Sequence, residues 1–422
     1  MREPAIRRRS SKSDIGRQKT YSIGGDKVKA KLLGVARGAA VSALMLVSAA
    51  AMAKDIRIGV IGPFSGPQSL YGTGWQQAIT IYMDQHGNAI AGNHIEFIYR
   101  DLPAPDPKEA RALAVQLIVH DKVDYLMGFD TSADALSVAS AIEQAKIPTI
   151  ALNAGSANVI SSSKYMLRAG FTMAQNVSAI GDFAANQHAK TAVTMVTDFI
   201  SGREAEESFL SSFEKRGGKV LEKIRMPLST TDFGPFLQRA RLAKPDVIYA
   251  ILPGGPATYS YMKAYIDSGM PKSGIRYLGT GETQEFDLQA MGDGVIGLET
   301  GFIYSAAHDS DLNRQYAAAL KAKYPNAVLS LPHAEAYDAM AMIAKMIEAT
   351  KGEHDGDAAI AAVKGMSWEG IRGPLKIDPT TKGFIQNVYM RRVERDKTSG
   401  LLVNREYKTY TAVPEGGLDA PK

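Results

Sequence analysis

The chain has 422 residues, no cysteine and a formal net charge of +5. Without cysteine it can form no disulfide, carry no thiol nucleophile and bind no metal through thiolates. The positive charge is confined to the start of the chain: residues 1–53 hold 11 Lys/Arg against 3 Asp/Glu, and the remaining 369 hold 38 against 41. A basic surface for nucleic acid is therefore not expected on the main body.

The first recognisable element is an apolar run at residues 39–54, which follows several basic residues and ends in Ala51-Met52-Ala53. This pattern is typical of an export signal cleaved after Ala53. The run holds about 15 apolar residues, fewer than the ~20 that a membrane-spanning helix needs. Residues 1–53 are therefore predicted to be a removed leader of a periplasmic protein. With no cysteine to carry a lipid, the protein is expected to diffuse freely.

From residue 55 onward, strand-like and helix-like segments alternate. The first group of strand-like runs lies at residues 56–61, 94–100, 123–127 and 148–151. Helical spacing of apolar residues separates these runs, at residues 74–86, 107–120 and 133–145. The rhythm restarts near residue 176 and continues to about residue 279. Such alternation predicts two successive α/β units with mostly parallel sheets covered by helices.

Four loops that follow predicted strands are rich in Gly, Ser, Thr or Asn: residues 61–74, 127–133, 152–158 and 252–258. Ligands of open parallel sheets bind beyond the carboxyl ends of the strands, beside helix N-termini. Backbone N–H groups in such loops can bind an anion such as a carboxylate. Ordinary strand-to-helix turns use the same residue types. The loops by themselves therefore leave both interpretations open.

An ordered set of short motifs resembles the periplasmic binding proteins for branched-chain amino acids, which serve ABC importers. The first strand is followed by Ser65-Gly66-Pro67 and then by Tyr71-Gly72. Further motifs are the segment at 106–110 that opens a helix, Ile147-Pro148 before a strand, the segment at 336–339 and Gly373-Pro374-Leu375. Together they cover nearly all of residues 55–412.

The resemblance implies an α/β fold of two doubly wound lobes with parallel central sheets, joined by a hinge of three crossovers. The ligand would be held in the cleft between the lobes. Lobe one would comprise residues 54–174 and 303–375, and lobe two residues 175–302 and 376–412. Residues 413–422 would form a C-terminal tail.

The resemblance also implies ligand-binding positions in both lobes: Ser65, Tyr71, Thr131, Ser132, Asn153, Gly155, Ser156, Phe199 and Glu282. Hydroxyl and N–H groups of the segments at 131–132 and 153–156 would hold a carboxylate. Tyr71 would form a wall of the pocket, and Phe199 would stack on the ligand. Glu282 would pair with the ammonium group of an amino acid.

The predicted function is delivery of a small carboxylate-bearing solute, a branched-chain or other hydrophobic amino acid, to the permease subunits of an ABC importer in the inner membrane. A monomer without cofactor or metal is expected. Two alternatives are open. The Leu252-Pro253-Gly254-Gly255 segment resembles relatives that take aromatic acids, and a sensor subunit for small amides or acids would use the same binding chemistry.

Catalysis is not expected. The segment Gly62-Pro63-Phe64-Ser65-Gly66 lacks the spacing of a Gly-x-Ser-x-Gly nucleophile elbow. The sequence also has no His-x-x-x-His pair of the kind that binds a catalytic metal. No catalytic residue is therefore predicted.

Overall fold

The computed structural model describes residues 54–397 and 399–420, so the predicted export signal lies outside the described residues. Two β-sheets, of six and nine strands, organise the described part. Within these residues no helix combines the length and the apolar character that crossing a membrane requires. Each loop that was predicted to bind ligand follows a strand of one of these two sheets.

The first sheet has the strand order β2-β3-β1-β4-β5-β6. Its strands are β1 Asp55–Gly62, β2 Ala89–Ile90, β3 Asn93–Asp101, β4 Tyr125–Gly128, β5 Thr149–Ala151 and β6 Met166–Arg168. β1 pairs in parallel with both β3 and β4, and the short β2 pairs antiparallel with β3. The helices of this part are α1 Ser69–Gln85, α2 Pro107–Gln116, α3 Ser132–Ser137, α4 Ala139–Ala145 and α5 Asn158–Ser161.

The second sheet has the order β12-β13-β14-β11-β10-β9-β7-β8, with β15 paired to β14. Its strands are β7 Thr191–Thr197, β8 Lys219–Met226, β9 Val247–Ile251, β10 Arg276–Gly279, β11 Glu299–Phe302, β12 Ser367–Gly370, β13 Gly373–Ile377, β14 Phe384–Arg395 and β15 Leu402–Val413. The associated helices are α6 Met173–Asn186, α7 Ile200–Glu214, α8 Gly234–Leu242, α9 Gly255–Asp267 and α10 Glu285–Met291.

The chain passes between the two sheets three times: after β6, after β11 and before β12. Between the last two passages lie α11 Asp311–Lys323, α12 Leu331–Thr350 and α13 Gly356–Val363. α12 packs against α1, so this part of the chain returns to the first sheet. The predicted lobe-one segment 303–375 includes β12 and part of β13, which pair in the second sheet. The exact lobe boundaries remain a prediction.

Local sequence explains several of these elements. Pro107 occupies the first position of α2, and the Asp106 carboxylate caps the helix by accepting from the N–H groups of Lys108 and Glu109 at 2.9 and 3.0 Å. β4 and β9 are buried along their whole length, as expected for parallel strands covered on both faces. The predicted α/β class is confirmed. Both sheets are mixed, because β2 pairs antiparallel with β3 in the first and β12 to β15 pair antiparallel in the second.

Candidate functional site

A cavity of about 440 Å³ lies between the carboxyl ends of strands from the two sheets. Residues 130–133, which follow β4, and Asn153, which follows β5, line it from the first sheet. The loops after β7, β9 and β10 line it from the second sheet. This is the place where open parallel sheets bind ligands. Its size is within the range of small-molecule sites.

Apolar side chains form most of the cavity wall. Four of them are aromatic: Tyr71, Phe171, Phe199 and Phe302. The rings of Phe171 and Phe302 meet edge to face with their centroids 5.1 Å apart, and the Arg391 guanidinium stacks on Phe302 at 4.9 Å. Aromatic rings prefer such edge and offset contacts with other rings. The wall therefore suits a flat, apolar ligand body.

One polar position in the cavity is Asp130, which a tight turn after β4 aims inward. The turn needs a glycine at 128, because Gly128 has φ +127° and a Cβ there would lie 1.9 Å from the Ile61 carbonyl oxygen. Asp130 Oδ1 accepts a hydrogen bond of 2.9 Å from Asn153 Nδ2. Burial raises the pKa of Asp130 to about 6. Asp130 therefore keeps its proton to a higher pH than an exposed aspartate does.

A second polar position joins the two sides of the cavity. The Ser132 hydroxyl oxygen accepts a hydrogen bond of 3.0 Å from the Ser156 N–H and lies 3.2 Å from the Ser201 hydroxyl of α7. Either hydroxyl can be the donor in this contact, so a ligand that replaces it meets two hydroxyl groups able to donate. The two hydroxyls come from opposite sheets. A ligand between the sheets can therefore contact both.

The beginning of α7 adds hydrogen-bond donors beside these serines. Its N-cap residue, Phe199, provides no side-chain acceptor for the N–H groups of the first turn. Arg203, in the same turn, donates to Asp198 at 2.6 Å and lowers the pKa of that carboxyl. Free N–H groups and the positive end of the helix dipole favour an anion here. This end of the cavity can bind a carboxylate.

The family model for the periplasmic binding protein matches residues 55–398. The chain belongs to the periplasmic binding protein family. It is also 40% identical, over 383 residues, to the Leu/Ile/Val-binding protein homolog 6 of Brucella abortus (strain 2308), an alignment that covers 90% of this chain and 98% of that protein. The family consists of solute-binding proteins, so the prediction that the chain is not an enzyme is confirmed.

Solved structures of related ABC-transporter solute-binding proteins share the fold. One from Rhodopseudomonas palustris HaA2, in complex with p-hydroxybenzoic acid, is 41% identical, with a TM-score of 0.84 and coverage of 87% of this chain and 100% of that chain. One from Rhodopseudomonas palustris BisB5, in complex with 3,4-dihydroxy benzoic acid, is 38% identical, with a TM-score of 0.81 and coverage of 85% and 98%.

The cavity of this binding protein includes five of the nine predicted ligand-binding positions: Tyr71, Thr131, Ser132, Asn153 and Phe199. Gly155 and Ser156 lie behind the wall. A Cβ at Gly155 would press on Met173, and the Ser156 hydroxyl donates to Glu204 at 2.5 Å. The structure therefore places these two residues where they support lining residues rather than face the cavity themselves.

Ser65 lies away from the cavity. Its hydroxyl donates to one oxygen of the exposed Asp101 at 2.5 Å, and its N–H donates to the other oxygen at 3.1 Å. These bonds hold the turn between β1 and α1. Tyr71 follows this turn. It is buried, and its ring packs edge to face on the Phe286 ring with the centroids 5.6 Å apart. Ser65 is thus placed to shape this loop.

Glu282 is buried behind the cavity wall and does not line it. Its carboxylate accepts from the N–H groups of Leu252 and Thr280, at 3.2 and 2.5 Å, and these two residues do line the cavity. Burial raises the pKa of Glu282 to about 7. The carboxylate therefore ties together the loops after β9 and β10, and its oxygens are turned toward the backbone.

Several cavity residues were not among the predicted positions. Phe171 and Phe302 stand at or just beyond the ends of β6 and β11, where the chain passes between the sheets. Ser201 and Arg203 lie in the first turn of α7. The rule that ligands bind beyond strand carboxyl ends could have identified Phe302, had β11 been recognised as a strand. Asp130 lies in a loop that was predicted to bind ligand, directly before the predicted ligand-binding residue Thr131.

Proposed function

We propose that this protein binds aromatic monocarboxylates, with hydroxybenzoates as the main class, and delivers them to an ABC importer. The observation that carries the proposal is the cavity wall: four aromatic rings face the ligand space, and Glu282, the expected partner of an ammonium group, is behind it. Relatives of 38% and 41% identity that were solved with hydroxybenzoic acids support the same class.

In this proposal the carboxylate of the ligand lies beside the Ser132–Ser201 pair, at the beginning of α7. The two hydroxyls and the free N–H groups of the first turn would donate to it. Hydrogen bonds to a charged group contribute roughly 1.5–3 kcal/mol each. The ring would lie among Phe171, Phe199 and Phe302, where burial of its faces contributes most of the remaining affinity.

A hydrophobic amino acid is the second candidate ligand. It is favoured by the relative of 40% identity that is named a Leu/Ile/Val-binding protein homolog. An amino acid needs an acceptor for its ammonium group close to its carboxylate. Near the Ser132–Ser201 pair, Asp198 is already paired with Arg203, so the aromatic acid fits the polar groups better.

We further propose that residues 1–53 are removed on export and that the mature protein works in the periplasm as a monomer. Its partner would be the pair of permease subunits in the inner membrane, to which the ligand-loaded protein would deliver its solute. The family membership supports this location and role. Mass spectrometry of the mature protein purified from its periplasm tests the cleavage site, with Lys54 as the expected first residue.

The ligand class is tested by isothermal titration calorimetry and thermal unfolding of the mature protein after ligand removal. The panel contains 4-hydroxybenzoate, benzoate and leucine. We expect both aromatic acids to bind, and a ligand at 100 times its Kd to add ~2.7 kcal/mol to the free energy of unfolding. Binding of leucine together with no response to either aromatic acid would reject the proposal.

The carboxylate position is tested by Ser132→Ala. Loss of this hydroxyl removes one bond to the ligand carboxylate, so the affinity for benzoate and for 4-hydroxybenzoate should fall alike, by about tenfold or more. Ser137→Ala is the matched control, because Ser137 lies on the same helix outside the cavity and bonds the Asp134 carbonyl oxygen. Equal affinities of Ser132→Ala and the wild type would disprove this position.

A further inference from the structure

Asp130 has an unused hydrogen-bond acceptor that faces the cavity. Its Oδ1 accepts from Asn153, and its Oδ2 bonds to no residue in the described part of the chain. The side chain belongs to a residue only 8% exposed, so little bulk water is available to it. Asp198, the other acidic residue in the cavity wall, is paired with Arg203. Asp130 therefore offers an acceptor for a donor on the ligand.

A carboxylate oxygen that faces a cavity keeps water only until a ligand displaces it, and its burial is then costly unless the ligand donates a hydrogen bond to it. Asn153 keeps the Asp130 carboxylate in place, since its amide bonds one carboxylate oxygen and leaves the other directed elsewhere. Burial, and after it the nearby charge of Asp130, raises the pKa of the Tyr71 hydroxyl, which also bonds to no described residue. A ligand with a hydrogen-bond donor at this place would provide the partner that the second Asp130 oxygen lacks.

The spacing along the chain decides which donor fits. Thr131 is extended, with φ −115° and ψ 153°, so Asp130 and Ser132 point to the same side of the chain with Cα atoms about 7 Å apart. With the ligand carboxylate at Ser132, Asp130 meets the far edge of the ligand. The ammonium of an amino acid is one carbon from its carboxylate and would stay at the Ser132 end. A hydroxyl across a benzoate ring reaches Asp130.

We propose that Asp130, held by Asn153, accepts a hydrogen bond from the ring hydroxyl of the ligand and so selects hydroxybenzoates over benzoates without a hydroxyl. This inference rests on the proposed function, since it assumes an aromatic carboxylate in the cavity. Ser132 would bind the group that all benzoates share, and Asp130 would bind the group that distinguishes them. The two positions therefore have separable effects on affinity.

Calorimetry with three ligands tests the assignment: 4-hydroxybenzoate, benzoate and 4-fluorobenzoate, which resembles the hydroxyl compound in size but has no proton to donate. The wild type should bind 4-hydroxybenzoate about 10- to 100-fold more tightly than the other two, the ratio expected of one hydrogen bond to a charged acceptor. In Asp130→Asn, which keeps an oxygen for Asn153, this preference should fall to about threefold or less through weaker binding of 4-hydroxybenzoate alone.

Other outcomes separate this inference from the proposed function. No preference in the wild type, or an equal loss for all three ligands in Asp130→Asn, would overturn the role of Asp130 and leave the aromatic ligand class standing. Failure of the wild type to bind any of the three would reject the proposed function itself. Leucine binding that Asp130→Asn abolishes would make Asp130 an ammonium partner. If Asp130→Asn does not fold, Asp130→Ser provides the same comparison.

Discussion

Arg372→Met should lower the free energy of unfolding by about 3–5 kcal/mol, because it leaves a buried carboxylate without its counter-charge. Arg372 and Asp338 form an ion pair of 2.9 Å, and the side chain of each is 1% exposed. Arg372 stands between β12 and β13, and Asp338 lies on α12. Arg372 also donates to the Ala169 carbonyl oxygen at 2.5 Å. Arg372 therefore ties the turn between β12 and β13 to α12 and to the segment that follows β6.

Urea unfolding followed by circular dichroism measures this effect. Arg314→Met is the matched control, because Arg314 pairs with Asp309 and Asp311 on the surface, and exposed ion pairs contribute little. Its unfolding midpoint should match that of the wild type. In the double variant Arg372→Met/Asp338→Leu, most of the loss should be recovered, since neither member of the buried pair is then left without its partner. A single variant as stable as the wild type would contradict the assignment.

The wild type should lose stability as the pH rises because of Glu335, and Glu335→Gln should lack this part of the loss. Glu335 lies on α12, is fully buried, and neither of its carboxylate oxygens has a hydrogen-bond partner among the described residues. Burial raises its pKa from 4.5 to about 8. Between these values the folded protein keeps a proton that the unfolded chain releases. This carboxyl therefore lowers stability progressively from about pH 4.5 to pH 8.

Unfolding of wild type and variant at a series of pH values tests this. The variant should gain stability relative to the wild type as the pH rises, by an amount on the order of a few kcal/mol at pH 8. The carboxyls of Asp130, Asp338 and Glu282, whose pKa values burial also raises, titrate in both proteins, so only the difference is interpreted. Glu348→Gln, an exposed change on the same helix, serves as control. Parallel pH profiles for Glu335→Gln and wild type would refute the prediction.

Alternation of strand-like and helix-like segments was sufficient to predict the α/β class, because burial on both faces makes parallel strands nearly continuous apolar runs. The strands β4 and β9 are such runs, and β7 is buried from Ala192 to Thr197. The antiparallel pairing of β14 with β11 could not be predicted in the same way. It depends on contacts between residues far apart in the sequence. The two-residue alternation of side chains along one strand does not show which other strand it pairs with.

For the candidate site too, local sequence predicted one part and could not predict the other. Loops after strands were identified from their Gly, Ser and Thr content, and Ser132, Asn153 and Phe199 do line the cavity. Local sequence could not tell which side of a loop faces the ligand. Glu282 stands beside the lining residues Thr280 and Gly281, yet its carboxylate is bonded to the backbone N–H groups of Leu252 and Thr280.

The sequence by itself determined the class of fold, the family resemblance and the loops at which a carboxylate could bind, since these follow from local periodicity and from short ordered motifs. Only the tertiary structure brought Phe171 and Phe302 from two separate crossings of the chain into one wall, and only it left one oxygen of Asp130 facing the cavity. Such placements arise from packing between distant segments, and that packing decides which polar groups keep a free bond for a ligand.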